Sequence, residues 1–339
     1  MNPVEVSTKK PTAESPPASP ARHAPSVRLV EVALRYGMLI VLVALVVCAQ
    51  VLYPGFLQLQ NIENILLQNA PLGIIAVGMT YVLITGGIDL SVGALYGAGA
   101  TVYASLAVLG WPLLPAALVT LAVGLVAGAI NGIVVAGLRV NPFVATLGTA
   151  SVFAGATSLY SHSKPFAVSD PAFTTLGRGQ ALGLPYSIWL LVAVVVVASA
   201  VLVATVYGRS LYAIGGNAEA ARLVGMRVRL MTCSSYVLLG ACSTMAGMLI
   251  ASRVGVGQAD IGASMSLDAI AVVVIGGTSL LGGEGAVWRS VVGLLILAIL
   301  TNLLDSLAVD SNVQLVIKGT IVIAAVAMDS YSRMRRSTV

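Results

Sequence analysis

The sequence predicts an all-α polytopic membrane protein with about ten transmembrane helices. Of its 339 residues, 58% are hydrophobic and only 9% are charged, whereas an ordinary soluble domain carries about 25% charged residues. Apolar runs of about 20 residues recur along the chain, and a helix of that length spans a hydrocarbon core of about 30 Å. Because a helix satisfies its own backbone hydrogen bonds in lipid, each run is predicted to be helical.

Ten apolar runs define the predicted spans. They are 36–54, 66–86, 91–109, 112–137, 143–160, 186–207, 230–251, 268–282, 289–307 and 312–328. The third, fifth and eighth are short or rich in Gly, Ala, Ser and Thr. Since irregular backbone is tolerated in a membrane only where other helices shelter it, each of these three is a candidate for a re-entrant or broken helix.

The spans lie within one membrane domain, predicted at 28–329. Residues 1–27 are rich in Pro, Ala and Ser and are predicted to form a disordered tail, and 330–339 are predicted to be a second tail. The first apolar run begins too late for an ordinary signal peptide, so it is interpreted as a retained anchor. The longest polar connections are 161–185, predicted outside, and 208–229, predicted in the cytoplasm.

Basic side chains are divided unequally between the two sides of the predicted membrane. Of the 18 Lys and Arg residues, 14 lie on the side of the termini, Lys164, Arg178 and Arg253 lie opposite, and Lys318 is within a span. The positive-inside rule therefore places both termini in the cytoplasm. The net charge of +5 is interpreted as orientation in the membrane, and no nucleic-acid partner is predicted.

A polar, glycine-punctuated segment interrupts the apolar runs at 208–226 and is predicted to be a loop that carries one short surface helix. Asn217 is a favourable N-cap, Glu219 falls in the first turn and Arg222 near the last, and Gly225 can end the helix in the left-handed conformation. Such a helix in a membrane protein predicts a binding partner.

One face of this short helix is apolar. Ala220, Leu223 and Val224 recur at helical spacing, which places them together on one side. Because this side is exposed to the cytoplasm unless another protein covers it, it is the predicted contact with that partner.

A short pattern, GGxxLxxG, occurs twice, at 86–93 and at 276–283. Transporters often contain internal repeats with glycine-interrupted helices near the pathway, although chance is a serious alternative in such a glycine-rich chain. The candidate pathway or helix-break residues are Gly86, Gly87, Asp89, Gly276 and Gly277.

A second glycine pattern, Gly124, Gly128 and Gly132, would make a flat ridge on one helix. It predicts close helix packing within the chain, with self-association as the alternative.

Charged residues near the predicted spans are few. Asp89 is interpreted as a cap of the next helix at the cytoplasmic surface, with a proton relay in the membrane core as the alternative. Lys318 and Asp305 are interpreted as a structural ion pair, or Lys318 as snorkelling outward, rather than as substrate contacts.

No catalytic pattern is present in the sequence. It lacks a GxxxxGK[ST] phosphate loop, a GxSxG nucleophile turn and an HExxH zinc motif. The three cysteines lie in apolar runs and the two histidines lack a partner pattern, so neither metal nor cofactor is predicted. The chain is therefore predicted not to be an enzyme, and any energy for transport must come from another subunit.

The chain resembles the ribose-type simple-sugar permeases of binding-protein-dependent ABC importers. Glu219-Ala220-Ala221, with Gly225 four residues after the last alanine, resembles the EAA-and-glycine signature of these permeases, although its proline-containing end is absent. Five segments resemble the ribose-type branch in the expected order: 78–95, 141–149, 208–226, 267–285 and 314–319.

This resemblance implies an ABC importer permease architecture in a bacterial inner membrane. Two copies would form the pathway, a separate ATP-binding cassette subunit would hydrolyse ATP, and a periplasmic sugar-binding protein would deliver a ribose-like monosaccharide or related polyol. The residues implied to couple to the ATP-binding subunit are Gly215, Gly216, Asn217, Glu219, Ala220, Ala221, Arg222 and Gly225.

The main alternative function is a secondary transporter driven by an ion gradient. It would need acidic residues within spans, and the candidates Asp89, Asp268 and Asp305 all lie near predicted span ends. A membrane enzyme or scaffold is the other alternative.

Overall fold

The structure, a computed structural model, describes the backbone of residues 25–337 and the side chains of residues 37–324, 326 and 327. Thirteen α-helices occupy the described part of the chain. They are α1 (Pro25–Leu52), α2 (Leu59–Ile84), α3 (Val92–Val108), α4 (Leu113–Gly132), α5 (Pro142–Ser161), α6 (Thr175–Arg178), α7 (Tyr186–Ala204), α8 (Val206–Gly216), α9 (Ala218–Leu223), α10 (Val228–Val254), α11 (Met265–Ile275), α12 (Val287–Ser306) and α13 (Ser311–Ser337).

Shorter elements join these helices. A π-helical turn (Ile133–Gly137) continues α4, and a 3-10 helix (Pro171–Thr174) precedes α6. Strand β1 (Phe166–Ala167) pairs antiparallel with β4 (Val256–Gly257), with Phe166 opposite Gly257. Strands β2 (Gln180–Ala181) and β3 (Leu184–Pro185) form a second small antiparallel pair.

Apolar helices account for all ten predicted spans. Helices α2, α5, α7, α10, α12 and the continuous stretch Leu113–Gly137 are each long and apolar enough to cross a membrane, and four shorter apolar stretches match the remaining predictions. The eighth span is the irregular one: α11 has only 11 residues, or about 17 Å of helix, because Gly276 and Gly277 follow it. By contrast, α5 is a regular 20-residue helix.

Helices α2 and α10 form the centre of the bundle. In their most apolar 18-residue windows, 78% of α2 and 72% of α10 is buried, against 28% of the α4 stretch and 17% of α5. The outer helices instead expose Leu118, Val126, Val152 and Val197. Because apolar side chains cover this outer surface, hydrocarbon is its natural environment.

The predicted glycine ridge of α4 packs within this chain. A methyl group at Gly128 would overlap the carbonyl oxygen of Tyr236, and one at Gly132 would lie 2.8 Å from Cα of Cys233. Both neighbours belong to α10, so the ridge serves close packing of α4 on α10, as predicted, rather than contact with a second copy.

The predicted tails are only partly within the described residues. The N-terminal prediction at 1–27 lies outside them except for residues 25–27, which are helical. Residues Met1–Gly37 and Met38–Val339 form two separate units. Within the C-terminal tail predicted at 330–339, the backbone of α13 remains helical to Ser337. Its polar end continues the hydrogen-bond ladder that the apolar part begins.

The segment 161–185 is a folded cap and not an open loop. Phe173 is completely buried and stacks on Tyr103 of α3, with ring centroids 4.9 Å apart. Ser252 of α10 donates its hydroxyl proton to the Phe173 carbonyl (2.6 Å) and accepts from the Gly177 amide (2.8 Å). These contacts hold the cap on the end of the bundle opposite α9.

Candidate functional site

The short helix α9 is capped at both ends as predicted. At its start, Oδ1 of Asn217 accepts hydrogen bonds from the amides of Glu219 (3.0 Å) and Ala220 (2.9 Å). At its end, Gly225 has φ +85°. The Gly225 amide bonds to the carbonyl of Arg222, and the Met226 amide to that of Ala221, each at 3.0 Å. This is the Schellman pattern, in which glycine avoids the strain of a left-handed Cβ.

The segment before α9 corrects the prediction of a loop with a single helix. Residues Val206–Gly216 form the separate helix α8, which begins where Thr205 accepts a hydrogen bond from the Gly208 amide (3.2 Å). Leu211 and Ile214 of α8 are buried against the bundle. They lie three residues apart on one face, and their burial stabilises a helix that the polar, glycine-rich composition does not indicate.

The apolar face of α9 is open. Leu223 is 85% exposed and Val224 is 75% exposed, and Ala220 is also exposed. Ala221 faces the other way and is buried. This exposed apolar pair is the surface for which the sequence predicts a binding partner.

Behind α8, three distant backbone segments meet at glycines that we call the glycine junction: Gly86, Gly215, Gly216, Gly282 and Gly283. The amide of Gly283 donates a hydrogen bond to the carbonyl of Ile84, at the end of α2 (2.9 Å). A methyl group at Gly282 would lie 2.8 Å from the Gly86 nitrogen. The two GGxxLxxG copies therefore contact one another directly.

The end of α8 completes the junction. A methyl group at Gly215 would overlap the Ile84 carbonyl oxygen and lie 2.5 Å from the Gly283 nitrogen. Nearby, Tyr212 of α8 donates a hydrogen bond to the Gly285 carbonyl (2.7 Å). Burial raises the pKa of Tyr212, which keeps its hydroxyl protonated as a donor. Displacement of α8 must therefore move both copies of the motif, because backbone contacts backbone with no flexible side chain between.

The other three glycines of the predicted set lie outside the junction. Gly87 faces the hydroxyl of Tyr236, which would be 2.5 Å from an added methyl group, and Gly276 packs on the backbone of Arg289 and Ser290. Gly277 has φ +79° and turns the chain after α11. The structure thus divides the four predicted pathway glycines between the junction, a contact with α10 and the turn between α11 and α12.

Asp89 is buried and caps the turn that precedes α3, which corrects its predicted role as a cap of that helix at the surface; the N-cap residue of α3 is Ser91. Asp89 is completely buried between α2 and α3. Its Oδ1 accepts from the amide and the hydroxyl of Ser91, both at 2.7 Å, and its Oδ2 accepts from Nδ2 of Asn131 (3.1 Å). Packing of α4 and α10 over the segment covers the carboxylate, which the sequence alone does not show.

Several residues that hold this segment were missed from the sequence. Nδ2 of Asn131 also donates to the Ser91 hydroxyl (2.7 Å), while its Oδ1 has no partner among the described residues. Ser266 of α11 donates to the Leu90 carbonyl (2.8 Å). Asn131 could have been identified as the one amide side chain in the apolar run 112–137, since buried amides require partners.

The predicted ion pair between Asp305 and Lys318 is replaced by another contact. Oδ1 of Asp305 accepts a hydrogen bond from Nε2 of Gln314 (2.8 Å), which also donates to the Val309 carbonyl (3.0 Å). Gln314 lies one turn before Lys318 on α13 and contacts the Asp305 carboxylate in its place. These bonds tie the end of α12 to the start of α13.

Comparison with known proteins identifies the family. Residues 61–326 match the family described as branched-chain amino acid transport system / permease component. The ribose import permease protein RbsC of Bacillus subtilis is 40% identical over 297 residues, which cover 87% of this chain and 92% of that protein. RbsC of Haemophilus influenzae is 38% identical over 296 residues, covering 86% and 92%.

A relative named for a different sugar is also similar. The L-arabinose transport system permease protein AraH of Escherichia coli is 34% identical over 316 residues, covering 90% of this chain and 93% of AraH. No solved structure matches the chain. With the matched region spanning α2 to α13 and containing the glycine junction and α9, the chain belongs to the family of ribose-type ABC import permeases, as a multi-pass membrane protein.

Proposed function

We propose that this chain forms the translocation pathway of an ATP-driven importer for a ribose-like monosaccharide or related polyol. The observation that carries the proposal is the junction of α8 with both GGxxLxxG copies, which links an exposed docking helix to the breaks after α2 and α11. Permease relatives named for ribose and L-arabinose support the substrate class. They give no support to an ion-gradient-driven carrier.

The partners follow from the same arrangement. An ATP-binding cassette subunit docks on α9 and hydrolyses ATP, a periplasmic sugar-binding protein delivers the substrate, and a second copy of this chain completes the pathway. Closure of the ATP-binding subunits presses on α9, and α8 transmits the movement to the junction. Of the predicted coupling residues, Gly215 and Gly216 belong to the junction, while Asn217 and Gly225 cap the docking helix.

Reconstituted uptake tests this function. The chain is incorporated into vesicles with the ATP-binding protein and the sugar-binding protein of its importer, and uptake of labelled D-ribose is measured with L-arabinose and galactose as competitors. We expect accumulation that requires ATP and both partners. Accumulation driven by an ion gradient without the ATP-binding protein would show instead that the chain is a secondary transporter.

The docking surface on α9 can be tested separately. We expect Leu223→Asp to reduce co-purification of the ATP-binding subunit at least about tenfold, because it places an unpaired charge in the centre of an apolar contact. Leu182→Asp is the matched control: Leu182 is 91% exposed on the cap at the other end of the bundle. Docking at α9 would be contradicted if both variants lost the subunit equally, or if neither variant lost it.

The proposed orientation places α9 and both termini in the cytoplasm and the cap 161–185 outside. In a variant without native cysteines, we expect Leu182→Cys to react with a membrane-impermeant thiol reagent in intact spheroplasts. Leu223→Cys should react only after lysis. The reverse labelling pattern would show that the topology is inverted. The ATP-binding subunit could then not dock on α9.

A further inference from the structure

A basic pocket lies beside α9, where α10 begins. It has a volume of about 400 Å³ and is lined by four arginines, Arg139, Arg222, Arg227 and Arg229, together with Met226, Val228 and Leu230. No acidic residue lines it, and within residues 37–324 none of the four arginines hydrogen-bonds to a carboxylate. All four side chains are exposed. Such a concentration of unpaired positive charge is complementary to an anion.

Two further features of the pocket favour an anion at a membrane surface. The first turn of α10 lines the pocket through Val228, Arg229 and Leu230, so the positive end of this 27-residue helix lies at the pocket. Leu138 and Leu230 beside the arginines are exposed apolar side chains. Arginines next to exposed leucines are typical of the boundary between lipid headgroups and hydrocarbon.

An apolar groove lies farther along α10 and shares no lining residue with the basic pocket. It has a volume of about 530 Å³ and lies between α2, α4, α7 and α10, with linings that include Leu125, Val197, Val201 and Met245. Its polar members are three hydroxyls: those of Tyr207 and Ser234, which lie 2.8 Å apart, and that of Tyr81, which donates a hydrogen bond to the Ala198 carbonyl. The remainder of the lining is apolar apart from the Cys242 thiol, as suits an acyl chain.

The pocket and the groove share one face of α10. Leu230 lines the basic pocket, and Ser234, Val237, Ala241 and Met245 line the groove. Intervals of three or four residues place all five on one side of the helix. A basic pocket and an apolar groove along a single helical face match the two parts of a phospholipid.

We propose that this face binds one anionic phospholipid, with its phosphate among the four arginines and one acyl chain in the groove along α10. Because Arg222 belongs to the docking helix α9, the lipid would join the membrane surface to the element that contacts the ATP-binding subunit. The site does not depend on the proposed transport function, since it is formed by this chain alone.

Native mass spectrometry of the purified full-length chain tests the headgroup site. The detergent-solubilised protein is titrated with phosphatidylglycerol or with phosphatidylcholine of the same acyl chains. We expect preferential binding of phosphatidylglycerol at one site, and about fivefold weaker binding for each arginine removed in R139Q/R229Q. Arg209→Gln is the control, because Arg209 is an exposed arginine outside the pocket.

A pair of neighbouring valines tests the groove. Val197 lines it and is 62% exposed, whereas Val196, 60% exposed, does not line it. We expect Val197→Trp to weaken binding of both lipids at least about tenfold, because the indole fills the space of the acyl chain, while Val196→Trp binds as the wild type does.

Four results would overturn the proposal. One is equal binding of the two lipids to the wild type, and another is an effect of Arg209→Gln as large as that of R139Q/R229Q, which would indicate general surface charge. The third is wild-type lipid binding by Val197→Trp. A dimer without bound lipid would assign the groove to a second copy and would also overturn it.

Discussion

Gly215→Ala is expected to abolish sugar uptake, whereas Gly216→Ala leaves it unchanged. The two glycines are neighbours at the end of α8, but their surroundings differ. A methyl group at Gly215 would overlap the Ile84 carbonyl and approach the Gly283 nitrogen, while one at Gly216 meets no atom within 4 Å. Both obstacles at Gly215 are backbone, which cannot rotate away as a side chain can.

The expected loss follows from the hydrogen bond between the Gly283 amide and the Ile84 carbonyl. A methyl group wedged beside this bond displaces α8 from the end of α2. Overpacking costs about 1–3 kcal/mol, and we expect uptake to fall at least about tenfold. Because α9 remains capped by Asn217 and Gly225, the ATP-binding subunit should still bind.

Three measurements separate coupling from folding: the amount of protein in the membrane, co-purification of the ATP-binding subunit, and ATP-dependent uptake per assembled complex. We expect only the last to fall strongly in Gly215→Ala. Equal uptake by the two variants would show that the junction does not transmit movement. Failure of Gly215→Ala to assemble would restrict the junction to a role in folding.

Asn131→Asp is expected to destabilise the protein, and Asp89→Asn is expected to be tolerated. In Asn131→Asp, two carboxylates face one another in a buried site, where like charges are strongly unfavourable. In the wild type, Oδ1 of Asn131 has no hydrogen-bond partner within the described part of the chain. If the amide of Asn131 rotates by 180° in Asp89→Asn, this oxygen faces position 89 and can accept a hydrogen bond from the new amide. The oxygen at position 89 still accepts from Ser91.

The double variant D89N/N131D provides the decisive comparison. It restores one carboxylate and one amide with their positions exchanged, so we expect it to recover most of the stability lost in Asn131→Asp, about 3–5 kcal/mol. Thermal unfolding in detergent measures the stability of each protein. We expect it to decrease in the order wild type, Asp89→Asn, double variant, Asn131→Asp. A double variant no more stable than Asn131→Asp alone would contradict direct pairing.

The same variants distinguish a structural carboxylate from a proton relay. A relay requires a group that binds and releases protons, and an amide at position 89 cannot do so. Uptake by Asp89→Asn near the wild-type level would therefore support the capping role. Its complete loss in a stably folded Asp89→Asn protein would restore the relay as the explanation.

The features that the sequence predicted correctly depend on neighbouring residues. Apolar runs predicted ten apolar helical stretches, six of which are long enough to cross a membrane, since burial in lipid requires only length and composition. Asn217 and Gly225 predicted the two ends of α9, because capping uses atoms within a few residues of the helix end. The family could also be predicted from the sequence, because its motifs are short local segments that occur in a fixed order along the chain.

The features that only the tertiary structure decided depend on segments far apart in the chain. Gly86, Gly215 and Gly282 meet because α2, α8 and the turn after α11 converge, and their separate glycine patterns do not encode that convergence. Asp89 is buried rather than at the surface because α4 brings Asn131 to it. Likewise, α8 is helical because Leu211 and Ile214 gain burial that their own segment cannot supply. Spans and caps were thus fixed by local hydrogen bonding and hydropathy, whereas the junction, the buried cap and the basic pocket arise from packing between distant helices.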